Sequence, residues 1–424
     1  MPEAKNITAT DRAAAWVVAC GERYWPQRGA AISALAMPRR RAAASSGQRL
    51  VQLPDWARDV GVDGALLVNE AAIAPGPEPE FFRCDWLTAC FFHLTGAAES
   101  GRTDSYSALM ADARLFDHAW VNRIFLLLRR MAARHAGQAE ETLFGPLPQA
   151  RIHLTHDVDA ITKTLEIRLK QTAFHLFNAA RALMRLQPGR AVKTFAQAIC
   201  FAITTPAYGN FALVRRLEVE HGLRSIFHFY GGPPGRKRGS LRRMLMDPGY
   251  DVAALRGEMA LLRAGGWRIG LHPSFDAWDD AAAMAHERQA VEAASAGPVD
   301  ACRQHWLRFD WARSWRAQQA AGMTLDSTLG FNNRPGFRNG AALCFHPWDG
   351  EAALAIRALP MLLMDSHFYD YVPMSPAERR AALARWIGEV RAVGGEVSVN
   401  WHVHTLAADY GWEGGFRDLL KALA

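Results

Sequence analysis

The sequence predicts an α/β barrel that follows a smaller mixed α/β domain, and three observations indicate this fold class. Half of the 424 residues are hydrophobic, which is enough apolar material for a large core and excludes a disordered or fibrous chain. From residue 151 onwards, short apolar runs alternate with segments of helical periodicity, which is typical of βα units around a parallel sheet. At least six such units fit into this part, and that number favours a barrel over a small open sheet.

Residues 1–145 are predicted to form the accessory domain. A short strand is expected at Ala65–Asn69, and apolar residues at helical spacing predict helices over Phe81–Leu94 and Trp120–Ala136. The segment 137–150 contains two prolines and two glycines, so we interpret it as a linker. We find no cluster of chemistry-bearing residues in this part of the sequence.

The barrel is predicted over residues 151–424. Strands are expected at Arg151–Thr155, Ser225–Tyr230, Trp267–Leu271, Cys302–Leu307, Thr324–Leu329, Leu359–Met364 and Glu396–Trp401. Helices are expected at Val252–Ala264, Ala281–Ala294, Trp311–Ala321 and Pro376–Val393. In such barrels the chemistry lies at the carboxyl ends of the strands, so the polar residues that occur there predict one shared site.

The strongest local motif is LTHDVD at Leu154–Asp159, at the end of the first barrel strand. Of two carboxylates two residues apart, one can bind a divalent cation while the other stays free as a base. Asp and Thr also cap helices, but two acids and His156 beside an apolar strand are costly for a cap alone. A second motif, GLHPSFD, contributes His272 and, four residues later, Asp276. On a helical turn these two side chains would share a face, which is a spacing that suits metal ligands.

These motifs resemble the polysaccharide deacetylase family, the NodB-homology enzymes of carbohydrate esterase family four. THDVD, GLHPS, RQHW, GMTLDSTLGF and WHVH occur in this order, and the likeness is to the bacterial branch with an HDVD first motif and an extra N-terminal domain. The resemblance covers residues 151–424 and extends to FFRCDWLTACFFHLTG. It implies a distorted (β/α)7 barrel and a hydrolase that uses a metal ion to remove the N-acetyl or N-acyl group of an amino sugar.

The resemblance also implies roles for individual residues. Asp157 matches the catalytic base, and Arg303 matches the arginine that holds this base. Asp326 matches the buried partner of that arginine. His402 matches the late histidine that acts as a general acid, with His404 as the nearby alternative. In this mechanism a metal-bound water attacks the amide, and the acid protonates the departing amine.

The implied cofactor is one divalent metal ion, usually zinc. Asp159 and His272 match two of its ligands, but Asp276 stands where the family has a second histidine. We therefore predict the set Asp159, His272 and Asp276, which should still hold zinc and could accept manganese or magnesium. Two alternatives are open: His305 or His346 completes the coordination sphere, or the site is degenerate.

A basic insertion is predicted at about 163–205, after the first barrel strand. No acidic residue occurs between Glu166 and Glu218, whereas basic and apolar residues alternate irregularly over 167–203. Two helices are expected, with a break at Gln187–Gly189. They form either a hairpin packed on the barrel with a solvated basic face or a peripheral contact to an anionic membrane.

The composition restricts partners and location. The net charge of +7 and the pI of about 9.2 are a modest basic excess that does not demand nucleic acid. Scattered cysteines, no signal-peptide pattern and no apolar run of about 18 residues predict a cytoplasmic protein, in which the insertion could contact the inner face of the membrane. We expect a bacterial enzyme of surface polysaccharide biosynthesis whose acetamido-sugar substrate is linked to a nucleotide, a lipid or a glycan.

Three other functions are weighed against this one. The same fold could hydrolyse a non-sugar amide. A metal-free pseudoenzyme could bind glycans, and Asp276 is the residue that keeps this alternative open. A glycosyltransferase would use Asp157 and Asp159 as a DxD motif for manganese and a nucleotide sugar, but then the LDST and WHVH motifs have no role.

Overall fold

A computed structural model describes residues 9–39, 47–97, 99, 112–371 and 374–424, without the side chains of Arg190, Arg236 and Arg238. Its strands are β1 Gln48–Gln52, β2 Ala65–Asn69, β3 Arg151–Val158, β4 Ile226–Tyr230, β5 Arg268–His272, β6 Ala301–Cys302, β7 Leu325–Asp326, β8 Arg357–Ala358, β9 Met361–Met364 and β10 Glu396–Asn400. Its helices in the first 145 residues are α1 Ala9–Cys20, α2 Gly29–Ser33, α3 Glu80–Arg83, α4 Trp86–Leu94, α5 Trp120–His135 and α6 Glu140–Phe144. The later helices are α7 Leu165–Met184, α8 Pro188–Ile203, α9 Phe211–Glu220, α10 Leu241–Met246, α11 Arg256–Ala264, α12 Ala281–Ser295, α13 Ser314–Ala320, α14 Pro376–Ala392 and α15 Glu413–Leu423.

Among the described residues, eight strands form one curled parallel sheet in the order β8-β7-β6-β5-β4-β3-β10-β9. The two edge strands, β8 and β9, are separated in the chain only by Leu359 and Pro360. The Leu359 N–H donates to the carbonyl of Asp326 on β7, and the carbonyl of Pro360 accepts from Ser398 N–H on β10. The same short stretch therefore touches both ends of the sheet. This α/β architecture confirms the predicted class and is compatible with a deacetylase-like barrel.

Strand alternation decides which residues of the first motif can reach the inside of the sheet. Successive side chains of β3 point to opposite faces, so Asp157 and His156 cannot share one. His156 is buried against the outer helices, where its ring lies 4.7 Å from that of Phe227 and 5.7 Å from that of Phe416. Its Nε2 lies 2.6 Å from Glu218 of α9. Asp157 therefore faces the inner side of the curled sheet.

One predicted strand, Cys302–Leu307, is much shorter than expected. Only Ala301–Cys302 pair with the sheet, and His305–Leu307 form a short 3-10 turn. Within that turn Trp306 has a φ of 58° and Leu307 a φ of 48°, in the left-handed region that side chains rarely adopt. The chain therefore leaves the sheet after Cys302, and His305 is the first residue of the turn.

The N-terminal region packs directly on the parallel sheet and its helices. Trp16 Nε1 donates to the carbonyl of His346 at 2.8 Å, and the Tyr24 hydroxyl donates to the carbonyl of Val393 at 2.6 Å. One buried apolar cluster runs through both parts of the chain. Of the predicted linker, residues 140–144 form α6. The domain boundary at residue 145 thus stays a prediction, and it does not coincide with a gap in the core.

The basic insertion forms the two predicted helices, α7 and α8, with a break at Arg185–Gln187. Its base is fixed by Lys163, whose Nζ lies 2.7 Å from Asp409 and 3.1 Å from the carbonyl of Thr204. Among the described residues, no helix combines the length and the apolar character needed to cross a membrane.

Candidate active site

A cavity of about 560 Å³ opens beyond the carboxyl ends of β3, β5 and β9. This is where a parallel α/β sheet ordinarily binds its ligand. Its ionisable lining residues include Asp157, Asp159, Lys170, His272, His305, Asp365, Asp370, His402 and His404. Most of the residues predicted for the site are therefore brought together around one space.

Three of these residues form a cluster that could hold a metal ion. One ligand atom from each of Asp159, His272 and His305 lies within 4.8 Å of the others. Asp159 Oδ1 is 3.2 Å from His272 Nε2 and 3.5 Å from His305 Nδ1. The two ring nitrogens lie 2.7 Å apart. One carboxylate oxygen and two imidazole nitrogens are a usual donor set for zinc.

The hydrogen bonds on the far sides of the two rings determine which nitrogens carry protons. His272 Nδ1 lies 2.6 Å from the carbonyl of Arg303, and His305 Nε2 lies 2.5 Å from the carbonyl of Met246. A carbonyl oxygen only accepts, so both of these nitrogens are donors. In neutral rings, His272 Nε2 and His305 Nδ1 then carry no proton, and each has a free lone pair. Asp159 Oδ1 is buried with no hydrogen-bond partner. Three electron-pair donors converge without a proton between them, and a divalent cation fits that arrangement.

The charges in the cluster agree with this arrangement. Burial would raise the pKa of Asp159, but His272, His402 and His305 lower it well below its usual range, so the carboxylate is ionised. Burial and the neighbouring His272 lower the pKa of His305 to about 4, which keeps this ring neutral. For His272, burial lowers the pKa, and the carboxylates of Asp157 and Asp159 outweigh it and raise the value. The two carboxylates therefore favour a positive charge at His272, which agrees with a site for a cation.

Asp276, predicted as the third ligand, lies outside the cluster. Its Oδ1 is 2.8 Å from Arg308 Nη1 and 3.5 Å from Arg242 Nη2, and its side chain is 41% exposed. The residues that follow Pro273 form a turn and no helix, so a separation of four residues does not put Asp276 on the same side as the histidine. The structure thus places His305, and not Asp276, beside Asp159 and His272.

Asp157, the predicted base, is buried beside the cluster. Its Oδ2 accepts a hydrogen bond from Asn400 Nδ2 at 3.0 Å. Its Oδ1 lies 3.3 Å from His228 Nδ1 and 3.5 Å from Arg303 Nη1, outside good hydrogen-bond geometry to either. Burial would raise the pKa of Asp157, but Arg303, His272 and His228 lower it well below its usual range. This carboxylate is therefore ionised and has a lone pair free.

Arg303 is held in place by neutral groups. It donates to Oγ1 of Thr155 at 2.7 Å and to Oγ of Ser398 at 3.1 Å. Asp326, predicted as its buried partner, makes no hydrogen bond to it and accepts one from Trp315 Nε1 at 2.9 Å. The predicted pairing is thus corrected to a longer-range electrostatic interaction, and Arg303 Nη1 lies 3.5 Å from Asp157 Oδ1.

Asp365, which sequence reasoning missed, sits behind His402. His402 Nδ1 lies 2.7 Å from Asp365 Oδ1, and Asp365 Oδ2 also accepts from the Thr405 hydroxyl at 2.9 Å. His402 Nε2 lies 3.4 Å from Asp159 Oδ2. Burial lowers the pKa of His402, but Asp365 and Asp159 outweigh it and raise the pKa to about 10. The signal was available, because Asp365 directly follows β9 at the edge where the other site residues lie.

The remaining predicted candidates have different places. His404 lines the cavity, with its ring 5.9 Å from that of Tyr208 and 5.2 Å from that of Tyr410. Burial lowers the pKa of His404 to about 4, so it is neutral. His156 lies on the outer face of the sheet, as described above. His346 is exposed and outside the cavity lining, with its Nδ1 3.0 Å from the carbonyl of Leu354.

The chain has few detectable relatives among known proteins. No protein-family model and no curated protein matches the chain. Among solved structures, it is similar to a protein from Mycobacterium smegmatis described as a “putative polysaccharide deacetylase”, with 15% identity and a TM-score of 0.40, over 65% of this chain and 84% of that chain.

Proposed function

We propose that the protein is a metal-dependent hydrolase that removes an N-acyl group from an amino sugar, and that its parallel sheet is the distorted (β/α)7 barrel of this enzyme. One observation carries the proposal: the lone pairs of Asp159, His272 and His305 converge in a cavity that Asp157 and His402 also line. Asp157 is ionised, whereas His402 holds a proton. A base and an acid in the same cavity as a cation site are what amide hydrolysis requires.

The roles follow from the proton demands of the reaction. A divalent cation held by the three ligands would acidify a water molecule and polarise the amide carbonyl. Asp157 accepts the proton of the attacking water through Oδ1, which no donor occupies. The nearby guanidinium of Arg303 keeps this carboxylate ionised. His402 donates the proton at Nε2 to the departing nitrogen, because an amide nitrogen leaves poorly until it is protonated.

The cavity walls support a sugar as the substrate. Its volume of about 560 Å³ is in the range of pockets that enclose small ligands. Trp306 and Trp412 line it together with the carboxylates and histidines. Aromatic faces beside polar groups suit a sugar ring, which has apolar C–H faces and a hydroxyl rim. An acetamido sugar of a surface polysaccharide, linked to a nucleotide, lipid or glycan, is the proposed substrate class.

The test separates the metal ligand from the base. We expect Asp157→Asn to retain zinc and to lose acetate release from N-acetylglucosamine oligomers by about 10²- to 10⁴-fold, the scale of a lost general base. Asp159→Asn should lose both zinc and activity. Zinc content is measured by mass spectrometry and acetate by a coupled assay, with Asp276→Asn as the control that retains both. Activity that survives complete chelation, or equal metal loss in both variants, contradicts the proposal.

A further inference from the structure

The helical hairpin formed by α7, α8 and the turn between them carries an unusual density of exposed apolar side chains. Among the described residues, eleven of the twenty large hydrophobic side chains that are exposed lie between Leu165 and Ile203. At the tip, Met184 is 76% and Leu186 is 88% exposed. Soluble monomers rarely expose large contiguous apolar patches, and such patches mark surfaces that bind proteins or membranes.

In α8 the apolar stripe points away from the protein. Val192, Phe195, Ile199 and Ile203 are all exposed, at spacings of three, four and four residues. This spacing places them on one face of the helix. The buried residues of this helix, Ala191, Ala198 and Phe201, lie away from this stripe. The helix thus packs on the protein with one side and leaves a second apolar face exposed.

In α7 the two faces have different partners. Leu165, Leu169 and Leu183 are each more than 60% exposed. Ile167 and Phe174, on another face of the same helix, line the active-site cavity. One helix is thus both a wall of the candidate site and part of the apolar surface. Whatever covers this surface lies next to the cavity.

A second helix at the cavity, α10, also exposes apolar side chains. Leu241 is 73% exposed and Leu245 is 49% exposed, one turn apart on α10. Leu245 and the partly exposed Trp306 also line the cavity. Apolar side chains of α7 and α10 therefore line the same cavity.

The charges on the hairpin identify the partner. Arg181, Arg185 and Lys193 are exposed, and among the described residues no carboxylate pairs with them. The hairpin has no acidic residue after Glu166. A twofold contact between copies of this chain would bring these cations together without counter-charges, because such an interface uses the same patch twice. A bilayer with anionic headgroups binds apolar and basic side chains at once.

We infer that the α7–α8 hairpin is a docking surface for an anionic lipid bilayer. Resting on the proposed function, this assigns the substrate class as an acetamido sugar carried on a lipid. The hairpin would lie in the headgroup region with Met184 and Leu186 inserted, and the cavity mouth beside it would face the membrane surface. A sugar attached to a lipid could then enter the site without leaving the bilayer.

Vesicle flotation of the full-length protein tests the docking surface. We expect binding to vesicles of phosphatidylcholine with phosphatidylglycerol at low salt, weaker binding to pure phosphatidylcholine, and loss of binding as salt rises. Met184→Ser with Leu186→Ser, and separately Arg181→Glu with Arg185→Glu, should each lower the partition coefficient about tenfold or more. Leu261→Ser and Arg256→Glu, exposed changes on α11, are the matched controls and should leave binding intact.

The outcomes separate this inference from the proposed function. The tip variants should release acetate from soluble N-acetylglucosamine oligomers at the wild-type rate and from an N-acetylglucosamine glycolipid in vesicles at least about tenfold more slowly. If the protein binds vesicles but hydrolyses neither substrate, the docking surface stands and the function fails. If the wild-type protein does not bind anionic vesicles at low salt, the inference is overturned. If light scattering then shows a dimer that Met184→Ser with Leu186→Ser dissociates, a second copy covers the hairpin.

Discussion

At the scale of single residues, the candidate site depends on two histidines held in opposite tautomers. His272 is fixed through Nδ1 and His305 through Nε2, each by a backbone carbonyl. Carbonyls cannot move independently of the fold, so the lone pairs of both rings are directed at Asp159 before any ion binds. Preorganisation of this kind reduces the reorganisation needed for binding and lets buried ligands bind metal tightly.

The first prediction follows from the corrected ligand set. His305→Ala should lower zinc affinity by about tenfold or more, since even the loss of outer-shell partners costs that much. Asp276→Ala should leave the affinity unchanged, because Asp276 is bound to Arg308 on the surface. Competition with a chromophoric chelator measures both variants. Equal losses in the two, or a loss only in Asp276→Ala, would return Asp276 to the ligand set.

The second prediction concerns Asp365 as a positioning residue. In Asp365→Asn the group behind His402 is neutral, so the imidazole loses the charge that holds its proton and orientation. We expect kcat to fall by about 10- to 100-fold, part of the effect of losing the acid itself, with KM and zinc content unchanged. Thr405→Val, which removes one hydrogen bond to Asp365 and keeps its charge, is the control. A raised KM at constant kcat would instead assign Asp365 to substrate binding.

At the scale of elements, the sequence predicts which residues follow a strand better than it predicts where their side chains point. Asp157, Asp159, His272 and His402 were expected at strand ends, and all four line the cavity. The spacing of Asp276 from His272 predicts a shared face only on a helical turn, and a turn without helix follows β5 instead. Whether four residues after a proline form a helix depends on contacts with other elements, which spacing does not contain.

His305 and His156 illustrate two further reasons why the sequence does not predict where a side chain lies. The sequence predicts His305 on a strand, but the strand ends at Cys302. The ring of His305 is held in the site by His272 and the carbonyl of Met246. Neither tryptophan nor leucine favours a positive φ, so the sequence gives no sign of the turn at Trp306 and Leu307. His156, in contrast, could have been assigned to the outer face from strand alternation alone, once Asp157 was taken to face inward.

The third prediction concerns the base of the hairpin. Lys163 and Asp409 form an ion pair in which both side chains are 1% exposed. Asp409→Ala would leave a buried ammonium without its counter-charge, and we expect a loss of about 3–5 kcal/mol in the free energy of unfolding. Replacing Lys163 with Met in the same chain should recover part of that loss. Urea unfolding measures the free energy, and limited proteolysis reports whether cleavage appears within 165–203.

A matched control is available on α9, where Arg216 and Glu220 form an exposed pair at 3.9 Å. Glu220→Ala should change stability by less than about 0.5 kcal/mol. If Asp409→Ala behaves like this control, the hairpin is attached by its apolar contacts alone, such as the ring of Phe201 against Tyr410.

At the scale of the whole molecule, the order of βα units was predictable and the long-range packing was not. Local periodicity reports which segments are strands and helices, so most strands of the parallel sheet were expected near their observed positions. How β8 and β9 bring the two edges together depends on hydrogen bonds of Leu359 and Pro360 to distant strands. The attachment of the N-terminal region likewise depends on contacts more than 200 residues apart, such as Asn122 to Ala342.

The fourth prediction tests that attachment through Glu389 on α14. Its carboxylate binds Arg123 of α5 at 2.8 and 2.6 Å and lies 3.4 Å from His118. Burial would raise the pKa of Glu389, but His118 and Arg123 lower it to about 2 from an ordinary 4.5. Because the folded pKa lies below the unfolded one, this interaction stabilises the fold fully above about pH 4.5. Its contribution is lost as the pH falls towards 2.

Glu389→Gln should therefore lower the free energy of unfolding at pH 7 by about 2–3 kcal/mol, with a difference from wild type that shrinks below about pH 4.5. Glu413→Gln, which weakens an exposed pair with Arg417, is the control and should change it by less than about 0.5 kcal/mol. In calorimetry we expect one transition that shifts as a unit, because a single buried cluster links α1 and α5 to α14 and α15. Two separate transitions in wild type, with only the first shifted by Glu389→Gln, would mean that residues 1–145 unfold independently of the barrel.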